Sequence, residues 1–247
     1  MILRSVMRHV REQNWLAVGI DFFIVIVGVF IGIQVANWNE ARLETHQQRV
    51  YLVRLQSDFK GIDDRLDEHF VVYQQMIDGA AYVLPLLRMS DEDFDAVAID
   101  EVRFAVAVNA LAAQRVPPPS SATYMEMLSE GHLSMMHSSR LRDRLAAYDR
   151  VLDIMRDVSR MSIDVHIRQW PVVQRYLSMT KIFDNAALSG IRHQLVAFDL
   201  EGMRADANVE TAIEMLETNA FNSLAQRRFQ RQSIGEILAL IEGEIRP

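Results

Sequence analysis

The chain has 247 residues, 50% of them hydrophobic, a formal net charge of −7 and no cysteine. That length suits one or two domains, and the composition excludes a disordered or collagen-like chain. Without cysteine there is no disulfide, no thiolate nucleophile and no Cys-based zinc site. Arg4, Arg8 and Arg11 outnumber Glu12 and Asp21 by one in residues 1–38, so the remainder carries −8. An acidic body of this kind has no long-range attraction for phosphate backbones, which argues against nucleic acid as a partner.

Residues 1–14 form a short basic segment. From Trp15 to Trp38 the chain is apolar apart from Asp21, Gln34 and Asn37. As a helix this stretch rises about 35 Å, enough for a hydrocarbon core of roughly 30 Å. It also puts Trp15 and Trp38 near the two interfaces, where amphipathic rings settle. Buried core helices seldom run as far without a polar residue as Phe22–Ile33 does. The stretch is too long for the apolar part of a cleaved leader, and no A-x-A site follows it, so it reads as a signal anchor. Counting Arg alone, Arg4, Arg8 and Arg11 before the span against Arg42 and Arg49 after it favour a cytoplasmic N-terminus. In a bacterium the C-terminal domain would then be periplasmic and the span would lie in the inner membrane.

At about 100° per residue Asp21, Val25, Gly28, Gly32 and Ala36 fall on one stripe, with Gly28 and Gly32 spaced as G-x-x-x-G. Small residues let a second helix approach closely, and a carboxylate inside a bilayer needs a partner, a proton or water. The stripe is therefore a candidate helix-association face.

Beyond the span the pattern becomes heptad: Leu52, Leu55, Phe59, Ile62, Leu66, His69, Tyr73, Met76, Ala80 and Val83 recur in steps of three and four. That is the seam of a coiled coil or a long bundle helix. His69 is its one polar member and reads as a core histidine rather than a ligand. Pro85 and Ser90–Asp93 suggest a break and an acidic connector, followed by a helix from about Asp100 to Gln114. Val116–Ser121, V-P-P-P-S-S, is a rigid linker. A short helix from Thr123 to Glu130 should end at Gly131 as its C-cap. A second long helix is expected from Ser138 or Ser139 to around Leu177, with Leu141, Leu145, Tyr148, Leu152 and Met155 as its stripe and Pro171 as a kink or break. Residues 181–207 read as one short helix plus loops. A last long helix from about Val209 to Ile245 carries Ile213, Leu216 and Ala220, then Ile234, Leu238, Ile241 and Ile245.

No segment shows convincing strand alternation, so the expected fold is all-α. One transmembrane helix (15–38) continues into a long-helix bundle over 39–247, three long helices plus short ones in an antiparallel arrangement. The nucleophile elbow, phosphate loop, dinucleotide fingerprint and H-E-x-x-H are absent. Met125, Met127, Met135 and Met136 beside His132 and His137 offer soft donors for Cu(I), but these positions are also where a bundle wants apolar residues. No catalytic, cofactor or metal site is expected, and no small-molecule substrate is evident.

Two stretches carry a resemblance. GVFIGIQVANWNEAR followed by VYLVRLQSDF, and later SATYMEMLSEGHLSMMHSSRLRDRLAAY, resemble an uncharacterised family of small single-span bacterial membrane proteins. In that family the span closes on V-x-N-W-N-E and Y-L-x-x-L-x-x-D follows. Later come T-Y-x-x-L-x-x-x-G-x-L and L-R-x-x-L-x-x-Y, matched here by Thr123, Tyr124, Met127 or Leu128, Gly131 and Leu133, then Leu141, Arg142, Leu145 and Tyr148. The resemblance implies a single-pass topology and brings no catalytic residues. The expectation is a non-enzymatic membrane protein whose bundle self-associates or binds another membrane protein, with the lipid bilayer as its surroundings. The alternative is an accessory subunit of a transport or proton-driven motor complex that uses Asp21.

Overall fold

The computed structural model describes residues 15–183 and 191–246, with side chains described except at 15–19, 21, 182–183 and 191–193. Its described residues form seven α-helices and one β-hairpin. The helices are α1 (Trp15–Arg88), α2 (Asp91–Ala96), α3 (Glu101–Leu111), α4 (Ala122–Ser129), α5 (Ser139–Gln174), α6 (Leu200–Ala205) and α7 (Ala207–Ile245). Strands β1 (Leu177–Phe183) and β2 (Ile191–Phe198) pair antiparallel between α5 and α6. The fold is all-α, with three long helices and several short ones. The chain divides into two units, Met1–Tyr51 and Leu52–Pro247.

In the second unit each helix after α1 begins on a side chain that can cap it. Ser90, Asp100, Ser121, Ser138, Asp199 and Asp206 each accept a bond from a backbone N–H in the first turn of the helix they precede. These oxygens satisfy N–H groups that the helix itself leaves orphaned. At the other end of α4, Gly131 takes a left-handed conformation (φ 75°) that a side chain would strain, and stops the helix where the sequence places the stop.

All ten residues of the heptad seam on α1 are buried, from Leu52 to Val83. They pack among α5 and α7, as the edge-on contact of Phe59 with Tyr148 shows at 5.3 Å between ring centres. The directions differ from a simple antiparallel arrangement. Asp63 meets Arg231 and Arg88 meets Glu210, so α1 and α7 run antiparallel. Tyr148 meets Gln230 and Ser162 meets Ser223, so α5 is antiparallel to α7 as well. Thus α1 and α5 are parallel. The segment 89–138, with α2, α3 and α4, returns the chain along the bundle, which is what parallel neighbours require.

Pro85 does not break α1, which continues to Arg88. Proline removes one helix bond, to the carbonyl of Ala81, but both residues are exposed and water can serve that carbonyl. Meanwhile Leu84, Leu86 and Leu87 are buried, and Arg204 on α6 caps the end by donating to the carbonyls of Leu86 (2.8 Å) and Met89 (2.9 Å). Likewise α5 passes Pro171 and ends a turn later at Gln174. The hairpin replaces the loops expected before the short helix α6. Its alternation is brief, with exposed Ser178 and Thr180 beside half-buried Leu177 and Met179, and exposed Gln194 and Val196 around half-buried Leu195, which is too short a pattern to mark a strand in the sequence. On α7 the seam runs through Ile237 and Ile241, while Leu238 and Ile245 are only half-buried.

Candidate functional site

The first unit is the apolar part of α1. Among the described residues one helix is long and apolar enough to cross a membrane, and it carries this segment. Between Phe22 and Trp38 every side chain is exposed except Val27, which is half-buried. Val25, Gly28, Gly32 and Ala36 lie on one stripe and are exposed, and a Cβ added at Gly28 or Gly32 would meet nothing within 4 Å. Trp38 is exposed at the end of the run (68%). Trp15 and Asp21 lie outside the residues whose side chains are described. An apolar surface of this extent, free of charge from Phe22 to Trp38, is what a non-aqueous environment or a second helix would cover.

Within the second unit, Asp58 on α1 holds the start of α4. Its Oδ2 accepts the Ser121 hydroxyl at 2.8 Å and the Thr123 N–H at 2.9 Å. Ser121 in turn accepts from the N–H of Tyr124 at 3.1 Å. One turn before Asp58, Arg54 donates to Glu126 of α4 at 2.9 Å and makes a second, shorter bond to the same carboxylate. Partial burial pushes the Asp58 carboxyl up, but the bonds from Thr123 and Ser121 and the charge of Arg54 outweigh it and hold it below its ordinary value.

A model of the family of unknown function DUF6090 matches residues 21–155, more than half of the chain. The chain belongs to that family. No curated protein and no solved structure matches it. The DUF6090 segment contains both partners of the Asp58 contact. Asp58 ends the Y-L-x-x-L-x-x-D stretch, and Thr123 opens the T-Y stretch some 65 residues later. Two motifs far apart in the sequence therefore meet as a carboxylate and the helix start that it caps. Of the other positions in these stretches, Tyr124, Met127, Leu141, Leu145 and Tyr148 are buried, Leu133 and Arg142 are half-buried, Leu128 is exposed, and Gly131 supplies the left-handed turn. The DUF6090 segment ends on α5 at Met155, before Ser159 and the whole of α7.

The methionine-rich stretch is divided between environments. Met127 and Met136 are buried in the core, while Met125 is exposed and Met135 half-buried. His132 lies 3.0 Å from Glu130. Among the described residues no three His, Asp or Glu side chains gather as a metal-binding set.

A polar layer interrupts the core of the bundle, and the sequence reading missed it. Arg227 on α7 is 1% exposed and Gln230 likewise 1%. Arg227 donates to Gln230 Oε1 (3.2 Å) and to Ser159 Oγ (3.4 Å), and Gln230 donates to the Tyr148 hydroxyl (3.0 Å). Next to them Ser162 meets Ser223 at 3.4 Å and receives Gln114 at 3.4 Å. The available signal was a gap: the apolar stripe of α7 pauses between Leu224 and Ile234, where Arg227 and Gln230 occupy inward positions, with Ser223 just before them.

His69 faces this layer. It is 6% exposed, and its Nδ1 has no partner among the described residues. Burial first, then the positive charges of Arg227 and Arg115, push its pKa down to about 4. A histidine that is harder to protonate when folded makes the unfolded chain the better proton binder, so stability falls as pH drops below the ordinary value of 6.5. The fall stops near pH 4, where folded His69 also protonates. His69→Gln is expected to remove roughly 2 kcal/mol of that loss. Urea unfolding followed by circular dichroism at a series of pH values checks it; parallel profiles for the two proteins would refute it.

Proposed function

We propose that the chain is a non-enzymatic, single-pass membrane protein whose helical bundle serves self-association or the binding of another membrane protein. The observation that carries this reading is the long exposed apolar segment of α1, uninterrupted by charge from Phe22 to Trp38. Covering that surface with lipid removes the cost of exposing it, and Trp38 suits the interface. Membership of a single-span family, as the N-W-N-E ending suggests, agrees with it. The second unit adds a packed helical bundle, a body through which such an association can be made.

In this reading the span lies in a bacterial inner membrane, with the N-terminus cytoplasmic and the bundle periplasmic. A C-terminal alkaline phosphatase fusion reports the side directly, and an inactive fusion in intact cells would reverse the assignment. The stripe of Asp21, Val25, Gly28, Gly32 and Ala36 is the face through which two spans meet, because its small residues permit close approach. The absence of cysteine makes the test clean. Single cysteines at Val25 or Gly32 are expected to form disulfide dimers in native membranes, and one at Phe30, on the opposite face, is not. Equal cross-linking at all three positions, or none, would remove the face from the model of assembly.

A further inference from the structure

We propose that the buried layer around Arg227 is a binding site for a small inorganic anion of the size of chloride. The argument begins with charge. Arg227 remains cationic at any ordinary pH, because its guanidinium does not give up its proton in proteins. It is 1% exposed, and the groups that act on it are neutral: Gln230, Ser159 and the hydroxyls of Tyr73 and Tyr148. No carboxylate among the described residues pairs with it. One turn along α7 the contrast is sharp, since Arg231 holds both Asp63 (2.9 Å) and Asp67 (2.6 Å). The nearby acids are thus engaged by the more exposed arginine, and the buried one is left without a counter-charge.

Burying an unpaired cation costs several kcal/mol after relaxation. Neutral oxygens can accept its N–H groups but cannot balance its charge. Their distances, 3.2 and 3.4 Å, are also longer than the usual 2.9–3.0 Å of such bonds. Arg227 Nε and His69 Nδ1, both in side chains more than nine-tenths buried, have no partner among the described residues. An anion beside Nε accepts that N–H and supplies the missing charge, and His69 in the tautomer with a proton on Nδ1 can add a second donor. The hydroxyls of Ser159 and Tyr73 lie in the same layer. Water would satisfy Nε but leave the charge uncompensated. Arg227, Gln230, His69 and Ser159 are each less than a tenth exposed, so the occupant must be small.

The test uses the purified full chain in neutral detergent micelles. Thermal unfolding is followed in sodium chloride and in sodium gluconate at equal ionic strength, gluconate being too large for a layer this buried. A specific site raises the midpoint saturably with chloride concentration, as ligand linkage requires. Arg227→Met should weaken that apparent affinity by about tenfold or more, a loss on the order of 1.4 kcal/mol or greater. Identical midpoints in the two salts would overturn the proposal, and so would a chloride effect that survives Arg227→Met. If that variant does not fold, crystals of the wild-type chain grown in bromide decide the question. An anomalous peak within hydrogen-bonding distance of Arg227 Nε supports the site; bromide at the surface alone refutes it.

Discussion

Replacing Asp58 by alanine is expected to destabilise the bundle by roughly 3 kcal/mol, since two hydrogen bonds to a charged acceptor are lost together. The two donors are the Ser121 hydroxyl and the Thr123 N–H. Without Asp58 the first turn of α4 keeps Ser121 as its cap but loses its attachment to α1. Asp58→Asn retains an acceptor oxygen in the same place and should cost only about 1 kcal/mol. Folding of the carboxylate form is favoured above the ordinary value of 3.8, and this advantage fades as pH falls through the lowered folded value. The difference between wild type and Asp58→Asn should therefore shrink in acid. Denaturant unfolding gives the energies, and amide exchange at Thr123 localises them. An alanine variant as stable as the asparagine variant would show that the Asp58 bonds do not hold α4.

Phe104→Ala should cost roughly 3–5 kcal/mol, the range for removing a buried aromatic ring. Phe104 on α3 is fully buried, in a cluster with Val83, Val108, Leu111, Val173 and Ile213. Its ring lies 4.3 Å from that of Phe198 at the end of β2. The hairpin is two-stranded and largely exposed, and such a hairpin has little stability of its own. Phe198 and Leu177 pack against the bundle core, and the bond from the Asp199 N–H to the Tyr176 carbonyl (2.9 Å) closes the base of the hairpin. The variant should thus also speed amide exchange along β1 and β2, beyond the global loss of stability. Exchange there that follows global unfolding alone would mean that the hairpin is held some other way.

Both effects bear on which parts of the molecule could be read in advance. The three long helices, the seam from Leu52 to Val83 and the stop at Gly131 follow from local rules. A side chain recurring every three or four residues shares a face wherever the helix lies, and glycine takes the left-handed conformation whatever surrounds it. The apolar stretch from Trp15 to Trp38 is of the same kind, because its length and composition do not depend on any neighbour. Asp58 stood in a quoted motif, yet its role was invisible, since the donors it serves lie more than sixty residues away.

What only the tertiary structure decided has one physical cause: each feature is closed by a partner distant in sequence. Pro85 reads as a break until Arg204 arrives from α6 to cap the carbonyls beyond it. Residues 181–207 read as one short helix plus loops because the alternation within each strand is brief and its anchor, Phe104 against Phe198, comes from far along the chain. The parallel course of α1 and α5 depends on the return of 89–138 along the bundle. Nothing local to Arg227 marks it as enclosed, and only the packing of α1, α5 and α7 around it makes it the largest fully buried side chain among the described residues. Sequence periodicity determined which faces turn inward; the pairing of those faces determined which polar groups were enclosed with them.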